Sequence, residues 1–268
     1  MITMILLEQP VALDPQKLKQ AFSQLDPEIT YSVIIGDKTS SETAMVTWGG
    51  VNFAVMAIDQ PIPLDSFRGG VIRHSDSEVI ASAISTHKAH LIISPMLQGQ
   101  SMVDSILTAT ALTKKVALLG RLMGGMATFW SSAGVMICQQ KMERIAAEVI
   151  SSPQLMVDEA ELSRGLLPYR CWVGRRLETY EDIVMVATQG LDDFAGYEIE
   201  LQPLDWPRKK VVDCLYRVVA HLFQNGPVLG DGGTIQVSED DIFHVRMHRR
   251  DGCYRALLSL QPQYSSLQ

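Results

Sequence analysis

Between Glu178 and Glu200 the chain sets seven carboxylates (Glu178, Glu181, Asp182, Asp192, Asp193, Glu198 and Glu200) and not one Lys or Arg. Two converging carboxylates can run acid–base chemistry. Neighbours such as Glu181-Asp182, Asp192-Asp193 and Asp240-Asp241, however, point to opposite faces of a strand, so no adjacent pair is by itself such a couple. What remains is electrostatics. A dense acidic surface steers a basic partner and raises its association rate by ~10–10³. The plainer account is a solvated hairpin edge kept soluble by its charge. These seven residues are the candidate partner-binding set.

The histidines offer metal chemistry at first sight. His87 and His90 stand three apart, a helical ligand spacing, but the helix pattern ends near Thr86 and no Asp, Glu or Cys completes a set, so a structural role is expected. His244 and His248 alternate with Phe243, Val245 and Met247 and share a face with Arg246. With Arg249 and Arg250 they form a basic ribbon, suited to an anion or to the charge protection of an edge strand. Gly230–Thr234 (GDGGT) invites a phosphate reading. Strand-like alternation follows it where a phosphate loop needs a helix, and no Lys is near, so a hairpin turn is expected. Gly120–Gly125 (GRLMGG) follows a helix, not a strand, and fails as a dinucleotide fingerprint. Cys138, Cys171, Cys214 and Cys253 form no CxxC pair and sit in apolar stretches, so they read as buried reduced thiols. No nucleophile elbow, HExxH pair or P-loop is present. The expectation is no catalytic residue, no metal and no cofactor.

The elements that position these residues follow from periodicity. Ile2–Glu8 reads as a buried strand, and Asp14-Pro15 opens a helix as N-cap and first position. Tyr31–Ile35, Ala44–Trp48 and Val51–Ile58 read as strands, the last two joined at Gly49-Gly50. Residues 64–76 look like a loop, Ser77–Thr86 a helix and His90–Ser94 a strand. Ser101–Leu119 reads as a core helix ended by glycines, Thr128–Cys138 as a strand or close-packed turn, and Lys141–Ile150 as a helix. Beyond Ser151-Ser152-Pro153 come a short helix over Val157–Ser163 and strands over Tyr169–Leu177, Ile183–Thr188 and Tyr197–Leu201. A helix from Asp205-Trp206-Pro207 to about Phe223 carries one apolar stripe, and strands at Phe243–His248 and Ala256–Leu260 close the pattern. The fold class is α+β: two mixed subdomains, 1–152 and 153–268, with antiparallel sheets covered by helices and a first half resembling a ferredoxin-like unit with an added strand.

The 268 residues carry 23 Lys and Arg against 30 Asp and Glu, a formal charge of −7. That balance speaks against a general binder of nucleic acid or anionic membrane. Residues 151–268 hold 12 basic and 17 acidic side chains, against 11 and 13 in residues 1–150, so the acidity concentrates in the second half. No signal peptide opens the chain and no apolar run reaches the ~20 residues of a bilayer span, so a cytoplasmic location is expected.

Five stretches carry a resemblance: AHLIIS (Ala89–Ser94), MATFWSSAGV (Met126–Val135), LPYRCWVGRRL (Leu167–Leu177), ATQGLDDFAGYEIEL (Ala187–Leu201) and NGPVLGDGGTI (Asn225–Ile235). In this order they resemble the bacterial domain-of-unknown-function family 4261, from about Met4 to Arg250. Trp130 and Trp172 match its aromatic positions; Ser94-Pro95, which ends a strand early, departs from it. The resemblance implies a stand-alone cytosolic module without a known cofactor and supplies no reaction. By analogy of size, charge and architecture, the expected function is a non-enzymatic immunity protein whose acidic second half covers a basic antibacterial toxin, a nuclease being one such class, of a contact-dependent secretion system. Two alternatives stay open. One is an adaptor or chaperone that loads an effector. The other is an enzyme with an unrecognised site between the subdomains, for which His87, His90, His221 and Asp231 are the first residues to mutate.

Overall fold

The computed structural model describes residues 1–25, 31–35, 43–48, 51–67, 72–73, 77–96, 99–149, 167–180, 183–239, 241–250 and 252–260. Two compact units divide the chain, Met1–Trp172 and Val173–Gln268. Helices and two antiparallel or mixed sheets make the architecture α+β. The expected Gly49-Gly50 turn, the boundary at Ser151-Ser152-Pro153 and the helix over Val157–Ser163 lie outside the described residues.

In the first unit, β1 (Thr3–Leu7), β2 (Tyr31–Ile35), β3 (Thr43–Trp48), β4 (Val51–Ile58), β5 (Ile72–Arg73), β6 (Ala89–Pro95), β7 (Gly125–Trp130) and β8 (Val135–Cys138) form one sheet. Their order is β2-β3-β4-β6-β1-β7-β8-β5. This order departs from a ferredoxin-like unit, in which β1 would lie directly beside the meander. Here β6 takes that place, and every neighbouring pair from β2 to β8 is antiparallel. The physical reason is that β7 and β8 extend the sheet on the far side of β1, so β1 is central and buried on both faces. Its Ile5, Leu6 and Leu7 are all fully buried, which explains an apolar run without alternation. Residues 64–76 are not all loop: Leu64–Phe67 is a 3-10 turn, and β5 pairs in parallel with β8.

α1 (Pro15–Leu25) starts as the residues dictate, with Asp14 Oδ1 accepting from the Gln16 and Lys17 amides. α2 (Ser77–Thr86) buries Ile80 and Ala83 against Leu6, Ala127, Phe129 and Met136. α3 (Met102–Met123) opens with a Ser101–Asp104 capping box. It runs one turn past the expected end at Gly120, stopping at Gly124 with φ 69°. Gly120 is a packing residue rather than a terminator: a Cβ there would collide with the Gln139 side chain of α4 (Gln139–Glu148), whose Nε2 donates to Ala117 O at 2.8 Å. Tyr169–Trp172 is a helical turn, α5, where a strand was expected. Trp172 is 1% exposed and its Nε1 donates to Thr113 Oγ1 at 2.9 Å, a tertiary tie that no local alternation encodes.

The second unit holds β9 (Gly174–Tyr180), β10 (Ile183–Gln189), α6 (Asp192–Ala195), β11 (Glu198–Leu204), α7 (Arg208–Asn225), β12 (Thr234–Gln236), β13 (Ile242–Arg250) and β14 (Cys253–Leu260). The sheet order is β12-β13-β14-β11-β10-β9. α7 lies along β10 and β11 and buries Val211, Leu215, Val218, Val219 and Leu222. Facing residues Val186, Ile199, Leu201, Phe243, Val245, Ala256 and Leu258 are buried too. Gly230–Gly233 is a turn, as expected, but the reversal between β12 and β13 falls later, in residues 237–241, where the Asp241 amide donates to Ser238 Oγ. The glycine stretch instead docks along β13: Gly232 N donates to Val245 O and Asp231 Oδ1 accepts from Met247 N. Gly232, at φ 75°, has the left-handed backbone this approach requires.

Candidate functional site

Register assembles the chemistry-bearing residues of the second unit on one sheet face. β11 pairs in parallel with β14, placing Glu198 beside Arg255 and Glu200 beside Leu257. β13 pairs antiparallel with β14, placing His248 beside Arg255, Arg246 beside Leu257 and His244 beside Ser259. Because successive side chains alternate, all of these share the face opposite Ile199, Leu201, Phe243 and Val245. The apolar face is the core; the other is lined with charge.

Glu198 is the most perturbed acid on that face. It is 7% exposed, and its two oxygens are engaged: Oε1 accepts from Gly190 N at 2.6 Å, and Oε2 from Thr188 Oγ1 at 2.5 Å and Leu191 N at 3.2 Å. Thr188 Oγ1 in turn accepts from Ile199 N at 2.7 Å. These bonds tie the β10–β11 connection to β11. Burial nevertheless dominates and lifts the carboxyl to about 7; the Asp192 carboxylate adds to the rise, while Thr188 and Gly190 oppose it. Glu200 is buried as well, with Oε2 3.8 Å from Arg255 Nη1. Arg255 is 8% exposed, and its buried Nε has no hydrogen-bond partner among the described residues.

The seven-carboxylate stretch is therefore not one solvent-facing surface. Glu198 and Glu200 point into the protein, since charge density along the chain says nothing about which side of a strand is covered. Asp192 is exposed and Asp193 half-buried, in the first turn of α6. Glu178 lies on β9 opposite Met185. Glu181 and Asp182, which join β9 to β10, lie outside the described residues.

The histidines have structural tasks. His87 Nε2 accepts from Ile62 N at 2.8 Å, which puts the ring proton on Nδ1, where Ala83 O and Ile84 O receive it. His90 Nδ1 meets Gln60 O at 2.8 Å, and burial lowers the ring's pKa. Both belong to the first unit, whereas His221, beside Asn225, and Asp231 belong to the second. Among the described residues no group of three or more His, Cys, Asp or Glu is placed to hold a metal ion. Cys138, Cys171 and Cys214 are buried free thiols, and burial pushes Cys171 up to about 12. The side chain of Cys253 lies outside the described set.

Sequence reasoning missed Arg255, Thr188 and Lys115. The first two show their roles only through strand pairing. Lys115 sits in α3, 2% exposed, with Nζ 3.2 Å from the Phe53 ring centroid, and burial lowers it to about 6. Its signal was a charge, beside Lys114, in a helix apolar nearly all round.

No described helix is long and apolar enough to cross a membrane. No curated protein and no solved structure matches the chain. Of the five stretches that suggested a family, ATQGLDDFAGYEIEL and NGPVLGDGGTI fall inside the segment a family comparison identifies, and the three earlier ones fall outside it. That segment, residues 187–254, is similar to a domain of unknown function (DUF4261), and it holds the end of β10, then α6, β11, α7, β12, β13 and the start of β14.

Proposed function

We propose that this chain is a non-enzymatic protein-binding module, a cytoplasmic immunity protein that neutralises a basic antibacterial toxin of a contact-dependent secretion system. The observation that carries the reading is the placement of acid around an outer strand. β9 is the last strand of the six-stranded sheet, and described carboxylates flank its neighbour β10: Glu178 on β9 opposite Met185, and Asp192 and Asp193 in α6 just beyond its end. Met185, opposite Glu178, stands about 13 Å along β10 from its end at Gln189. A standard interface of ~800 Å² per partner is about 30 Å across and spans both. Glu198 and Glu200 take no direct part, being engaged inside the unit.

The test is charge reversal at Glu181, Asp182, Asp192 and Asp193, with the association rate to the protein encoded beside this one measured against salt. The wild-type rate falls with salt, and the reversed variant binds at least tenfold more slowly at low salt. An unchanged rate removes the acidic surface from the reading. Co-expression with that neighbour separates immunity from loading: rescue of growth supports an inhibitor, continued killing an adaptor.

One observation favours an enzyme as second reading, namely a carboxyl lifted to about 7 in Glu198, which suits a general acid or base near neutrality. Against it stands the engagement of both carboxyl oxygens.

A further inference from the structure

The polar face of β13 and β14 carries a basic group of its own. His244, Arg246 and His248 follow one another at alternate positions, about 7 Å apart, with His244 and Arg246 exposed and His248 half-buried. Arg255 stands directly beside His248, about 5 Å across the pair, and diagonal to Arg246 at about 7 Å. Two guanidinium groups and two imidazoles thus share one patch of a single face.

Arg255 is the centre of this patch; its charge is paired with Glu200, but its donors are not all satisfied. A guanidinium has five donors, and a buried one left partly unsatisfied is costly. Here Nε is buried without a partner, and the counter-charge of Glu200 stays 3.8 Å from Nη1, beyond hydrogen-bond reach. Glu198, its neighbour in register, does not compensate, because Thr188, Gly190 and Leu191 already hold both of its oxygens. Arg249 and Tyr254, which pair by cation–π contact, belong to the opposite face and do not dilute the patch.

We propose that the β13–β14 face around Arg255, Arg246 and His248 is a binding site for an oxyanion group, a phosphate or a carboxylate. Arg255 supplies the inner donors, Arg246 the outer guanidinium, and His248 closes the side, an arrangement suited to the forked recognition that arginine gives such anions. The net charge of −7 disfavours an extended polyanion, so the site takes a single group rather than a nucleic-acid backbone.

The experiment is calorimetric titration of inorganic phosphate into the full chain at constant ionic strength, repeated with succinate as competitor. Wild type binds phosphate saturably at one site. Arg246→Gln, an exposed position that leaves the core untouched, weakens it about tenfold or more. Lys209→Gln, in the basic first turn of α7, leaves it unchanged. Displacement by succinate assigns the site to oxyanions in general, and its failure to compete assigns it to phosphate; either outcome supports the proposal. Three results overturn it: no saturable binding of either anion, equal binding by Arg246→Gln, or loss of binding in Lys209→Gln.

Discussion

Replacing Glu198 by Gln tests the central electrostatic claim about the second unit. Unfolded, this carboxyl titrates near its ordinary 4.5; folded, burial lifts it to about 7. Between those pH values the native state holds more protons than the unfolded one, so unfolding free energy falls as pH rises through the window. The loss approaches about 3 kcal/mol and is complete above about pH 7. Glu198→Gln has no proton to exchange and loses this slope. It also turns an amide NH₂ toward Gly190 N, Leu191 N or Thr188 Oγ1, sacrificing a buried hydrogen bond of about 1–3 kcal/mol. The variant is therefore less stable than wild type near pH 5, and the gap narrows or reverses near pH 8. Urea unfolding across this range gives the free energies, and amide exchange in β10 and β11 reports the second unit by itself. A wild-type stability that is flat between about pH 5 and 7, or an identical slope in Glu198→Gln, would refute the reasoning.

Lys115 gives the opposite slope in the first unit. Its folded pKa of about 6 lies below the ordinary 10.5, so the unfolded state binds the extra proton between these values and stability rises with pH. Lys115→Met is more stable than wild type near pH 7, where wild type must fold with the amine uncharged, and the advantage fades toward about pH 10 in urea titrations. Gly120→Ala displaces the Gln139 amide, the end of a flexible side chain, and costs the bonds that amide makes to Ala117 O and Glu143 Oε1, about 1 kcal/mol in thermal unfolding; in a Gln139→Ala background the substitution carries no such cost. Trp172→Phe removes the indole donor to Thr113, and a double-mutant cycle with Thr113→Val returns a coupling of about 1 kcal/mol; additive effects would show the bond to be energetically idle.

Much of the architecture was legible because local rules and tertiary packing agree. Asp14-Pro15 caps α1, Ser77–Thr86 is a helix with the expected limits, and the stripe from Val211 to Leu222 is the buried side of α7. Expectations failed where a distant contact overrides a local signal. Gly120 reads as a terminator but lets α4 approach, and Tyr169–Trp172 alternates like a strand but turns so that Trp172 reaches Thr113. Strand order in the eight-stranded sheet was illegible for a related reason: the apolar run of β1 announces burial on two sides without naming the neighbours.

The candidate site divides the same way. Residue types and alternation were enough to predict a basic ribbon on β13, a chain rich in carboxylate around β10, and an apolar side for each strand, since period two and charge are local properties. Only strand pairing could bring Arg255 beside His248 and Glu198, or turn Glu198 and Glu200 inward while Asp192 stayed in water. Burial is a property of what lies across a face, and residues far apart in the chain supply it.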